Sequence, residues 1–169
     1  MASLQEAMQE YQRHLQKGII QQAYRGLMDY FGKLRAHFTR EHPEFGVSGS
    51  IYFGYMDMTY LPLFPEALKK RNLKIAIVFL HEAFRFEAWL SGGNRDVQEE
   101  YWKLIRERGW DEYSLSENPR TADSILEKIL VKEPDFDDLD ALTSQIVEET
   151  MGFLRDVEAF FLQHPLQEK

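Results

Sequence analysis

One stretch constrains this chain more than any other: LKIAIVFLHEAFRFEAWL, Leu73 to Leu90. Two runs rich in β-branched and aromatic residues are joined by HEA, the pattern of two strands and a turn. With Glu82 and Ala83 at the turn, His81 faces Phe84, Phe79 faces Phe86 and Ile77 faces Ala88. Side chains alternate across a strand, so this set shares one apolar face and belongs to a core, Phe84 and Phe86 included. The opposite face carries Ala76, Val78 and Leu80 from one strand and Arg85, Glu87 and Trp89 from the other. The turn lacks the Asn-Gly chemistry that pins a tight hairpin, so register rests on the hydrophobic pattern, and a slip of one residue would exchange one strand's faces. The predicted hairpin covers about 73–91.

Helices flank it. Leu4, Met8, Tyr11 and Leu15 fall at helical spacing, with Ser3 and Glu6 as a capping box. Gly18 interrupts, and Ile19, Ala23, Leu27, Tyr30, Phe31, Leu34 and Phe38 continue the stripe in another phase until Pro43 and Gly46 end it. GSIYFGYMDMTYLPLFP then reads as extended chain, one long strand or two short ones, with Gly54 marking a bulge. PEALKKRN is a short helix with Pro65 at its start. After SGGN, Asn94 caps a helix over 95–108 that ends at Gly109. A short strand is expected near Tyr113–Leu115. SILEKILV fits a capped helix or a strand, and its Ile and Val content favours the strand. A long last helix carries Leu139, Leu142, Ile146, Phe153, Val157 and Phe160 on one side, and residues 164–169 form a loose tail. The pattern predicts a single α+β domain over 1–169: an antiparallel sheet built around the hairpin and packed by N-terminal and C-terminal helices, with 1–17 as a helical arm.

Composition narrows the chemistry. The chain has 169 residues, 44% of them hydrophobic, which suffices for one core. Its formal net charge of −8 argues against broad phosphate-backbone binding, so no nucleic-acid partner is expected. LKKRNLK, Leu68–Lys74, is a basic helix end rather than a nucleic-acid patch. The absence of cysteine excludes disulfides, thiolate metal sites and cysteine nucleophiles. No apolar run approaches the roughly 20 residues of a membrane span, so a cytoplasmic protein without membrane contact is expected.

The strongest candidates for chemistry lie on the hairpin's outer face. Arg85, Glu87 and Trp89 point the same way, about 7 Å apart in sequence steps of two. An Arg beside Trp and Glu can hold a planar or anionic ligand, or it can be an exposed ion pair. Asp57 lies among Met56, Met58, Tyr52, Tyr55 and Tyr60. A carboxylate in so apolar a run needs a partner, and Arg85 is one if the strands are neighbours. PDFDDLD resembles a calcium loop only superficially: it lacks the glycine, has Ile146 at the twelfth position, and is explained by helix capping. His14, His37, His42, His81 and His164 form no paired metal motif, and HEAFR has Arg85 where a zincin has its second His. No metal site and no cofactor are expected. There is no nucleophile elbow, phosphate loop or dinucleotide fingerprint.

YFGYMDMTYLPLFPEALKKRNLKIAIVFLHEAFRFEAWLSGGNRDVQEEYW and ILVKEPDFDDLDALT resemble an uncharacterised bacterial domain family of unknown function. The resemblance runs over most of the chain and implies a small cytosolic bacterial protein. It brings no activity, cofactor or catalytic residue with it.

Three readings follow. The leading one is a non-enzymatic ligand- or partner-binding domain whose site on the sheet is Tyr55, Asp57, Arg85, Glu87 and Trp89. The second is a hydrolase using Asp57 and Glu87 as paired carboxylates. The third is an interaction protein whose arm, through Leu4, Met8, Tyr11 and Leu15, docks in cis or on a second copy to form a homodimer.

Overall fold

The computed structural model describes residues 1–167. Helices α1 (Leu4–Leu15) and α2 (Ile19–Glu41) are separated at Gly18, whose φ of 72° is left-handed. Strand β1 (Met58–Leu63) and the short α3 (Glu66–Lys69) lead into β2 (Leu73–Leu80) and β3 (Arg85–Gly92). Then come α4 (Arg95–Arg108), β4 (Ser114–Leu115), β5 (Leu126–Val131) and α5 (Leu139–Gln163). The strands form one antiparallel sheet in the order β1-β2-β3-β5-β4. This is an α+β fold of the expected class. The ambiguous SILEKILV segment is a strand, held between β3 and β4. Of the expected loose tail, residues 168 and 169 lie outside the described residues.

The hairpin has the register its hydrophobic pattern demands: Ile77 pairs with Ala88, Phe79 with Phe86, and Leu80 with Arg85. Ile75, Ile77, Phe79, Phe86, Ala88 and Leu90 are buried in one core with residues of α2, α4 and α5. Phe31 and Phe79 both pack on Phe86, with centroids 6.0 Å and 5.0 Å away. Tyr30 of α2 reaches Thr143 of α5 with its hydroxyl at 3.0 Å. That hydroxyl's pKa is pushed up to about 12 because burial disfavours the phenolate. The helices thus cover one face of the sheet, and the other face is left to its own side chains.

Two expectations need correction. Phe84 is not core: it is the last residue of the hairpin turn, has a φ of 54°, and is 56% exposed. A left-handed residue turns its side chain off the strand's alternation, so the inner-face rule ends at the turn. The stretch from Tyr52 to Asp57 is not a continuous strand either. Tyr52 bridges Tyr60, Gly54 turns with a φ of 74°, and Asp57 accepts a hydrogen bond from the Tyr55 amide at 2.9 Å. The chain thereby doubles back on β1.

A Cβ at Gly54 would collide with the Met58 carbonyl oxygen, and its φ is unfavourable for L side chains. Gly54→Ala is therefore expected to destabilise the protein by more than about 1 kcal/mol, seen as a thermal midpoint lower by at least roughly 2–4 °C.

Candidate functional site

The open face of the sheet is shaped by side-chain size. Across the centre of the sheet, Pro62, Ala76 and Trp89 stand in one row, and Tyr60, Val78 and Glu87 in the next. Small residues on β2 between large ones on β1 and β3 leave a trough along β2. Its cavity is about 430 Å³. Tyr60 and Tyr52 form one wall as a stacked pair, with centroids 4.8 Å apart at 25°. Trp89 forms the other. Lys74, Arg95 and Asp123 close one end, where β3 turns through Gly92 and Gly93 into α4.

The trough's end is built by local bonding. Asn94 caps α4 by accepting from the Val97 amide at 2.9 Å. The Ser91 hydroxyl donates to the Asp123 carbonyl at 2.7 Å. Gln98, 3% exposed, donates to the carbonyls of Pro119 and Ala122. Arg95 donates to the Ala122 carbonyl and lies 3.7 Å from the Asp123 carboxylate. Lys74, by contrast, has no carboxylate partner within ion-pair distance among the described residues.

Glu87 sets the orientation of the opposite wall. Its carboxylate is 2% exposed although it sits on the outer face. Oε1 accepts from Arg85 Nε at 2.8 Å, and Oε2 accepts from Trp89 Nε1 at 2.7 Å. All three residues lie two apart on β3, so one strand supplies the whole network. Each carboxylate oxygen has a donor, which is the condition for burying it. Trp89 spends its only polar donor on Glu87 and presents its ring to the trough.

Of the five residues singled out from the sequence, the structure brings Arg85, Glu87 and Trp89 together, and Trp89 lines the trough. Tyr55 and Asp57 do not line it. Tyr55 is 93% exposed in the turn before β1. Asp57 is exposed there too, and backbone amides of Met58 and Tyr55 hold its carboxyl below the usual aspartate range. Its expected partner Arg85 is engaged by Glu87 instead. Neither Asp57 nor Glu87 lines the trough, and both oxygens of the Glu87 carboxylate are engaged by Arg85 and Trp89. Tyr52 and Tyr60 were missed because their positions depend on β1 pairing with β2, whereas Lys74 stands two residues before Ala76 on the outer face that the hairpin pattern already defines. The available signal was Ala76 and Val78, small residues on an otherwise bulky face.

The remaining candidates have structural roles. Asp138 caps α5 by accepting from the Ala141 amide at 3.1 Å, and Asp135 accepts from the Asp137 amide at 2.9 Å. Among the described residues no three His, Asp or Glu side chains converge as metal ligands, and no helix is long and apolar enough to cross a membrane. A surface hollow of about 950 Å³ runs along α4 among charged side chains that include the Arg120–Asp96 and Lys103–Glu99 ion pairs. His81 belongs to the inner side of the hairpin tip. The Thr59 hydroxyl donates to the Phe53 carbonyl at 2.6 Å, so the Thr59–His81 contact at 2.9 Å assigns the proton to His81 Nε2.

The fold and trough define a one-faced α+β sheet domain: helices over one side, an aromatic-walled recess on the other. The chain belongs to the family described as a domain of unknown function, DUF7000, whose model matches residues 4–161. No curated protein and no solved structure matches it.

Two outcomes are expected from these contacts. Glu87→Ala leaves a partly buried guanidinium and an indole N–H without their acceptor, and should cost about 2–4 kcal/mol in urea denaturation. The double variant Arg85→Met/Glu87→Leu should lose distinctly less, because no charge is orphaned. Burial lowers the pKa of His81, so the folded state prefers the neutral ring. Its contribution is present above about pH 6.5, the ordinary histidine value, and is lost as pH falls from there through the lowered folded-state value. His81→Gln should flatten that part of a stability-versus-pH curve measured by thermal melts.

Proposed function

We propose that this domain is a binding module, without catalysis of its own, for a small planar ligand carrying an anionic group. The single observation behind this reading is the trough: a recess of about 430 Å³ with aromatic walls and, at one end, a lysine without an ion-pair partner among the described residues. That volume falls within the range of about 300–1,000 Å³ typical of small-molecule sites, where apolar walls combine with few polar groups. A flat ring over Ala76 and Val78 meets Tyr60 on one side and Trp89 on the other. Its acidic group reaches Lys74, and Arg95 adds a second cation whose partner Asp123 lies at 3.7 Å. Glu87 works indirectly, by fixing the ring of Trp89. The acidic charge of −8 fits a cytoplasmic setting for such a module.

Matched pairs of aromatic carboxylic acids and their uncharged amides, screened by ligand-observed NMR and titration calorimetry, test this. Acids are expected to bind, and Ala76→Trp, which fills the floor of the trough, to abolish binding while leaving the melting curve cooperative. Lys74→Gln should weaken the acid about tenfold, on the order of 1.4 kcal/mol for one charge-assisted contact, and leave the amide unchanged. Equal binding of acid and amide, or binding that survives Ala76→Trp, would refute the reading.

A further inference from the structure

The helical layer stops short of the hairpin tip and leaves a second recess, an apolar groove of about 570 Å³. The first turns of α2 and the start of α5 form its sides, Phe79 lies at its base, and Met56 and Phe84 are at its rim. Met56 and Phe84 hold left-handed backbone conformations, with φ of 64° and 54°, and are 51% and 56% exposed. A bulky residue there costs on the order of 1–3 kcal/mol. The one other non-glycine residue of this kind among those described is Asn72, a type that tolerates the conformation. Two apolar side chains therefore occupy strained positions on one rim and face solvent, a combination that local stability alone disfavours.

The chain carries a second unpartnered apolar surface. Helix α1 has a complete capping box at Ser3 and Glu6, yet none of its residues is buried. Leu4, Met8 and Tyr11 are 80%, 52% and 53% exposed, and no α1 residue lines the groove. An isolated helix of 12 residues is marginal in water and needs a packed face. The spacing of Leu4, Met8, Tyr11 and Leu15 is that of anchors which lay a helix into a groove. Gln21 Nε2 donates to the Leu15 carbonyl at 2.8 Å and ties the end of the arm to α2, outside the groove's lining. Gly18 between the two helices has open space around it.

We propose that α1 of one protomer docks in the hairpin-tip groove of a second copy, reciprocally, in a twofold homodimer. This goes beyond the trough on the opposite face of the sheet and does not depend on it. The areas match: Leu4, Met8 and Tyr11 with Ile19, Ile20, Met56 and Phe84 expose on the order of 700–800 Å² per protomer, at about 150–250 Å² for a large side chain. A standard stable interface takes about 800 Å² per partner. An isologous pair uses each arm and each groove once, leaving neither surface bare.

Sedimentation equilibrium of the full chain tests the proposal, with two variants. Met8→Glu/Tyr11→Glu removes the arm's anchors. Phe84→Asp removes the rim and places a residue that tolerates the left-handed backbone, so its melting temperature reports that the fold is kept. A dimer is expected for the parent chain, with dissociation constants raised at least 100-fold in both variants. An equimolar mixture of the variants should recover a heterodimer through its one intact arm and groove, weaker than the parent. A parent chain that stays monomeric throughout, a dimer insensitive to either variant, or a mixture that gives no heterodimer would each overturn the proposal. So would a native mass spectrum of a monomer with a small molecule in the groove, displaced by Phe84→Asp.

Discussion

Because side chains on a strand alternate with a period of two, the pairing of Phe79 with Phe86 decides the fate of every side chain on the hairpin. In this register the phenylalanines meet Tyr30 and Phe31 of α2 and Phe136 just before α5, and Arg85, Glu87 and Trp89 point away from them. A shift of β3 by one residue would drive a carboxylate and a guanidinium into the apolar layer, at a cost far above the few kcal/mol by which domains are stable. The hairpin is therefore the template on which α2 and α5 dock, and on which β1 and β5 pair from either side.

The same alternation creates the open face. A sheet with helices on one side normally solvates the other. Here that side encloses a nearly buried glutamate, satisfied within its own strand by Arg85 and Trp89. A network confined to positions two apart on one strand survives small adjustments between strands. It also holds the indole in place, which would lower the ordering cost of the binding proposed for the trough. The trough and its supporting network are thus consequences of one strand's side-chain order, read against the small residues of β2.

At the tip of the hairpin a different balance holds. The helices end, alternation stops at Phe84, and apolar side chains are held in the left-handed region at the edge of the core. The two faces of the domain consequently differ in kind. The trough combines rings with charge on a rigid sheet, and the tip groove is apolar and lies beside a helix that packs on almost nothing. Small-ligand binding on one face and self-association at the other are physically compatible, because the sheet itself separates them.

How much of this is legible in the amino-acid order follows from the range of the interactions. The helices α1, α2, α4 and α5, the caps at Ser3 and Asn94, and the hairpin with its two faces arise from contacts within a few residues, so periodicity and capping chemistry determine them. The grouping of Arg85, Glu87 and Trp89 was legible for the same reason. Tyr55 and Asp57 stand outside the trough because the aromatic alternation runs on through a segment that turns; the Asp57 side chain binds the Tyr55 amide and ends the strand pattern without changing the composition. Only the tertiary structure decided that β1 lies beside β2, that β5 lies between β3 and β4, and hence that Tyr60 and Lys74 share a recess with Trp89. Those neighbours are far apart in the chain, and their pairing is selected by how the layers close over the core, a property that no local pattern carries.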